Sequence, residues 1–150
     1  MPLLNEDIRR QLTDLFTKGL ENPVTLHFFT QKTSVLSVPS LECNTCHEAG
    51  DLLNEITAIS DKLRLETHDF VGEQEEAKRL GVDKIPGIVL QGQSKGTLRY
   101  FGVPAGYEFG VVVEDVLDLS KGTTRLAAAT RKQLGELSSP VHIQVLVTPT

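Results

Sequence analysis

Tryptophan is absent, methionine occurs once and cysteine twice, and aromatic residues make up only 5% of the chain. Stacking platforms for bases or sugars would have to come from six Phe and two Tyr, most of which a core claims. Positive charge is also in short supply: Lys plus Arg number 15 against 20 Asp plus Glu, a formal net charge of −5. That balance argues against attraction to phosphate backbones or anionic lipid, so neither a nucleic-acid nor a membrane partner is expected. No run approaches the roughly 18 to 20 apolar residues that a bilayer crossing needs. The N-terminus turns acidic at Glu6-Asp7 before an export-type apolar stretch can form, and a cytoplasmic location is expected. A reducing compartment disfavours a permanent structural bridge, which moves the reading of Cys43 and Cys46 toward redox or metal chemistry.

What is present is the make-up of one folded domain: 150 residues, 39% hydrophobic and 23% charged. Asn5 is a capping residue, Glu6 and Asp7 suit a first helical turn, and Ile8, Leu12, Leu15 and Phe16 recur at helical spacing up to Lys18-Gly19. Asn22-Pro23 breaks that helix. Val24 to Thr30 is an apolar, β-preferring run of strand length, expected to be a buried strand. Gln31 to Glu42 carries Ser, Thr and Pro without pattern and reads as a loop delivering the chain to the cysteines. Ala49, Leu52, Leu53, Ile56, Ile59 and Leu63 then mark a helix of about four turns with the cysteines at its start. Further on, the pattern predicts a strand from Leu65 to Phe70, a short charged helix from Glu73 to Leu80, and strands from Ile88 to Gln91 and Thr97 to Phe101. A turn from Gly92 to Gly96 joins those two strands, and an amphipathic helix follows from Ala105 to Ser120.

The alternation is complete by about Gly122, and the rest looks like a second beginning. Thr124 to Leu134 is again helical, Ser139-Pro140 again breaks it, and Pro140 to Thr148 echoes Pro23 to Thr30. An internal repeat cut short and two unrelated helix-turn-strand segments account for the echo equally well at this level.

Cys43-Asn44-Thr45-Cys46 stands between a strand and a helix, where thiol chemistry gains most from the backbone. Unsatisfied N–H groups and the positive end of the helix dipole stabilise a thiolate on the outer cysteine, which makes Cys43 the candidate nucleophile. Cys46, most of a turn further in, is placed to attack the resulting mixed disulfide and release the substrate. Three other readings compete. A zinc site would need two ligands from His27, His47, His68 and His142, none of which form an H-x3-5-H pair. Cys43-Asn44-Thr45-Cys46-His47 matches the attachment pattern of a c-type haem, but that requires export and a second axial ligand. Two packing cysteines without chemistry are the third.

Ile85-Pro86-Gly87 opens a strand downstream of the cysteines, and on general frequencies alone its X-Pro bond would be trans. Strand, C-x-x-C, helix, strand, helix, Ile-Pro, two strands and helix, however, is a layout that resembles the thioredoxin fold. More closely, Arg99-Tyr100-Phe101-Gly102-Val103-Pro104-Ala105-Gly106-Tyr107-Glu108-Phe109 and Val147-Thr148-Pro149-Thr150 resemble the glutaredoxin-like protein disulfide oxidoreductases. They are also similar to the N-terminal domain of alkyl hydroperoxide reductase flavoproteins, another family with two thioredoxin-like units in tandem.

The resemblance implies an α/β thioredoxin-like fold with a central mixed four-stranded sheet flanked by helices. It implies one complete unit over residues 1–122, and a helix and strand beginning a second, truncated unit over 123–150. It further implies a cis Ile85-Pro86 bond, with Ile85 and Pro86 binding an extended substrate. Glu42 opposes ionisation of the Cys43 thiol and a protonated His47 assists it, while Asn44-Thr45 lacks the proline or aromatic common between such cysteines. These four residues are candidates to tune the redox potential, and for Glu42 and His47 the plainer reading is a solvated surface side chain.

The expected function is thiol–disulfide exchange through Cys43 and Cys46, with disulfide-containing proteins or a redox partner reductase as partners and no metal or organic cofactor. The competing class is a non-catalytic docking module that keeps the fold for interaction. The apolar segment from Val141 to Val147 is expected either to dock on the sheet edge of the first unit or to pair between molecules as a homodimer.

Overall fold

A computed structural model describes residues 3–31, 42–94 and 96–146. The chain runs through α1 (Glu6–Gly19), β1 (Val24–Thr30), α2 (Cys46–Thr57), β2 (Leu63–Asp69) and α3 (Gln74–Leu80). It continues through β3 (Gly87–Gln91), β4 (Leu98–Phe101), α4 (Tyr107–Lys121) and α5 (Ala128–Gly135). The four strands form one mixed sheet in the order β2-β1-β3-β4, with β1 parallel to β2 and antiparallel to β3, and β3 antiparallel to β4.

Local chemistry explains most of these boundaries. Asn5 caps α1, its side-chain oxygen accepting the Ile8 N–H at 2.8 Å, and Glu6 and Asp7 complement the helix dipole behind it. Gly81 and Gly122 close α3 and α4 in the left-handed conformation, at φ 69° and 68°, which a side chain would strain. β1 lies between two neighbours and is buried on both faces, so its run of apolar residues is what an interior strand requires.

Alternation along β1 sorts the core into two. Val24, Leu26 and Phe28 point to the face that packs α1, α2 and α4, where Leu12, Phe16, Leu53, Ile56, Val112 and Val116 join Ile88 and Leu90 in the main cluster. His27 and Phe29 point to the other face. There α3 supplies Ala77 and Leu80, which pack with Val82, Val89 and Phe29 in a smaller cluster.

Several expectations need correction. Leu15 lies 47% exposed on α1, because the buried stripe is carried by Leu12 and Phe16. The second helix ends at Thr57: Ile59 turns back through a bond from its N–H to the Ile56 carbonyl, and Leu63 begins β2 opposite Val24. Helical spacing simply continued by coincidence across the turn. α4 starts at Tyr107 after Gly106 at φ 60°, two residues later than its apolar period implied. The strand expected from Val141 to Val147 does not form over 141–146, which are exposed and pair with no strand of the sheet. Alternation makes a segment capable of pairing, but a strand exists only where another supplies its hydrogen bonds. The loop between Gln31 and Glu42 lies outside the described residues over 32–41, as do 147–150.

Candidate functional site

The two cysteines meet at the start of α2. Cys46 is the first helical residue and is 5% exposed, whereas Cys43 is half-buried, and their sulfurs are joined in a disulfide. Asn44 and Thr45 form the exposed turn between them, and the Cys46 N–H donates to the Cys43 carbonyl at 3.3 Å. Thr45 caps α2 through its carbonyl, which accepts the Ala49 N–H at 3.0 Å, while its side chain makes no capping bond. The positive end of the helix is therefore not quenched by a side-chain cap, which favours negative charge on the outer sulfur.

One positioning group carries no signal in the sequence. Gln31, just past the end of β1, accepts the backbone N–H of Cys43 through Oε1 at 3.1 Å, tying the entry to the C-x-x-C turn onto the central strand. The β1–β3 register runs as far as Phe29 opposite Gly87. The next positions on the two chains, Thr30 and Gln31 against Pro86 and Ile85, thus lie at the same end of the sheet. The Ile85-Pro86 bond is cis, as the resemblance implied. Pro86 is buried with its carbonyl accepting the Gly102 N–H at 2.9 Å, and Ile85 is half-buried against the smaller core cluster.

Of the four residues flanking the sulfurs, Glu42, Asn44 and Thr45 are exposed. His47 is also exposed and pairs along the helix with Asp51, Nδ1 to Oδ2 at 3.0 Å, so the charge it would carry is already matched by a carboxylate. Among the histidines weighed as ligands beside the cysteines, His27 and His68 meet each other across β1 and β2 at 3.2 Å instead. A shallow groove beside the first turn of α2 is lined by Leu4, Ile8, Leu52, Val103 and Phe109, with Glu48 at its rim.

No protein-family model matches the chain, and no curated protein does. Among solved structures, it is similar to a protein disulfide oxidoreductase from Aeropyrum pernix, at 26% identity and TM-score 0.72 over 89% of this chain and 55% of that one. It is equally similar to the alkylhydroperoxide reductase AhpF of Enterococcus faecalis, at 25% identity and TM-score 0.72 over 89% of this chain and 61% of that one. The chain thus spans little more than half the length of these structures. The sheet order, the C-x-x-C at the head of α2 and the cis proline before β3, together with these likenesses, place the chain in the thioredoxin-like superfamily.

Proposed function

We propose that this protein is a thiol–disulfide oxidoreductase that exchanges disulfides with protein substrates or with a redox partner protein through Cys43 and Cys46. The observation that carries the reading is the unequal burial of the two cysteines at the head of α2. Cys43 is the more accessible of the two to an incoming disulfide, and Cys46, nearly fully buried, is bonded to it.

In the reducing direction the Cys43 thiolate attacks one sulfur of the substrate disulfide. A Cys43–substrate bond forms, and the other substrate sulfur leaves as a thiolate and takes up a proton. The Cys46 thiolate then attacks the Cys43 sulfur, restoring the Cys43–Cys46 disulfide and releasing the second substrate thiol, so two electrons pass from the pair to the substrate. Ile85 and Pro86 receive the extended segment carrying the substrate disulfide. Gln31 holds Cys43 in place, while Glu42, Asn44 and Thr45 adjust the thiol's ionisation from the rim, and His47 does so only as far as its pair with Asp51 leaves its charge unmatched.

The coverage of only 55% and 61% of the two similar structures supports reading residues 1–122 as one unit and 123–150 as the beginning of another. A homodimer through the tail remains part of the proposal, and its working compartment is the cytoplasm, where a reducing pool returns the pair to its dithiol form.

Insulin reduction tests the activity. The purified chain, coupled to an excess of small dithiol, is expected to precipitate insulin B chain faster than the dithiol alone. A rate equal to that of the free dithiol would leave the fold as a docking module and overturn the assignment.

A further inference from the structure

On the sheet face that carries α3, away from the cysteine pair, three metal-ligating side chains converge. His27 on β1 and Glu66 and His68 on β2 each offer one ligand atom, and these atoms lie within 4.8 Å of one another. The parallel register produces the convergence, setting His27 beside Glu66 and Phe29 beside His68 so that all project from one face. His27 is 6% exposed and His68 is half-buried, stacked at 4.7 Å on Phe29, so neither ring is a casual surface group.

The outer nitrogens decide what the inner ones can do. Nε2 of His27 faces the side-chain amide oxygen Oε1 of Gln91 at 3.1 Å, and Nδ1 of His68 faces a carboxylate oxygen of Glu73 at 2.7 Å. Both partners are acceptors, so both outer nitrogens carry the ring protons. In the neutral rings that leaves lone pairs on Nδ1 of His27 and Nε2 of His68, which stand 3.2 Å apart, with a Glu66 carboxylate oxygen 3.3 Å from the former. Three acceptors gathered within 4.8 Å of one another favour a cation among them. Donors about 2.0–2.1 Å from a tetrahedral ion stand about 3.3 Å from each other, which is the spacing already present in two of the three pairs. Histidine ligands backed by an outer carboxylate or amide oxygen are also how proteins orient such rings.

We propose that His27, His68 and Glu66 form a binding site for a divalent transition-metal ion of the zinc class, with Glu73 and Gln91 orienting the two imidazoles. Neutral imidazole and carboxylate suit such an ion better than calcium or magnesium, which take oxygen shells. Glu66 is 40% exposed, so the remaining coordination position opens to water. The ion would staple β1 to β2 and, through Glu73, to the start of α3.

The test uses the full chain with the Cys43–Cys46 disulfide intact, verified by thiol titration, so that the cysteines take no metal. Zinc is titrated against a chromogenic chelator, and cobalt serves as the spectroscopic probe. One ion per chain is expected, with visible cobalt bands of a four- or five-coordinate site. The ring signals of His27 and His68 should shift in NMR while those of His47 and His142 stay. Glu66→Gln should weaken binding at least about tenfold, and Glu73→Gln, which keeps an acceptor for the Asp69 N–H, about 10- to 100-fold. Zinc should also raise the Tm of the parent chain, because the site exists only in the folded state. Circular dichroism of each variant separates lost ligation from lost fold. No uptake, uptake unchanged by both substitutions, or shifts confined to His47 and His142 would each overturn the site.

Discussion

Whether Cys43 or Cys46 attacks first is a question of access. Cys46 is 5% exposed beneath the first turn of α2 and Cys43 is half-buried in front of it, so a bulky protein disulfide reaches Cys43 alone. Cys43→Ser is therefore expected to abolish exchange. Cys46→Ser should still attack and then accumulate a mixed disulfide that non-reducing electrophoresis and mass spectrometry detect; trapping by the Cys43 variant instead would reverse the two roles. The pair could be read in the sequence because its chemistry depends on three consecutive steps of chain and on the helix that follows. Gln31 could not be read, since its bond to the Cys43 N–H closes across a sequence separation of 12, and nothing local distinguishes a glutamine at a strand end. His27 and His68 are further apart still, at a separation of 41 residues, and only the parallel register of β1 on β2 brings their rings together.

Between elements, one buried hydroxyl has an outsized part. Ser120 lies near the end of α4 with no exposed surface, and its Oγ accepts the N–H groups of Glu21 and Asn22, both at 2.9 Å, while donating to the Asn22 carbonyl at 2.6 Å. The Asn22 side chain returns a bond to the Ser120 carbonyl at 2.9 Å, so the end of α4 is sewn to the turn between α1 and β1. Ser120→Ala leaves these partners inside without replacement, and a loss of about 1–3 kcal/mol is expected. Urea unfolding should show a lower midpoint at unchanged slope; an unshifted midpoint would mean that water replaces the hydroxyl without cost. On the far side of α4, Tyr100 of β4 donates to Asp115, and burial, reinforced by that carboxylate, pushes the phenol well above its ordinary value, so the clasp keeps its proton throughout the neutral range. Neither clasp was visible in the sequence, although the elements they join were. Periodicity and capping residues report on a few turns of chain, and they located α1, β1 and α4 to within two residues. They misplaced the end of α2 because Ile59 and Leu63 continue a helical step across a turn that tertiary pairing imposes.

At the scale of the whole molecule, the chain divides by burial. The main core runs from Leu4 to Leu119, whereas α5 contains no buried residue, and Val141, Ile143, Val145 and Leu146 are 60%, 80%, 75% and 86% exposed. Among the described residues, Arg125 at the root of the tail pairs with Glu114 and Asp118, and solvated pairs of this type hold little stability. Removal of residues 123–150 is accordingly expected to leave the Cys43 exchange rate unchanged and to move the Tm by less than about 3 °C. The same removal should change association. An exposed row of alternating apolar residues with unpaired backbone is a template for pairing, and within the chain residues 141–146 do not take the edge of either β2 or β4. On the proposed pairing between molecules, the 150-residue chain should show concentration-dependent dimers in light scattering. Ile143→Lys, which places a charge in the middle of that row, should weaken those dimers, and the shortened chain should be monomeric at every concentration. A full chain that stays monomeric while residues 140–146 exchange their amide hydrogens at random-coil rates would remove the dimer, and collapse of the shortened chain would show that the first 122 residues need the tail to fold.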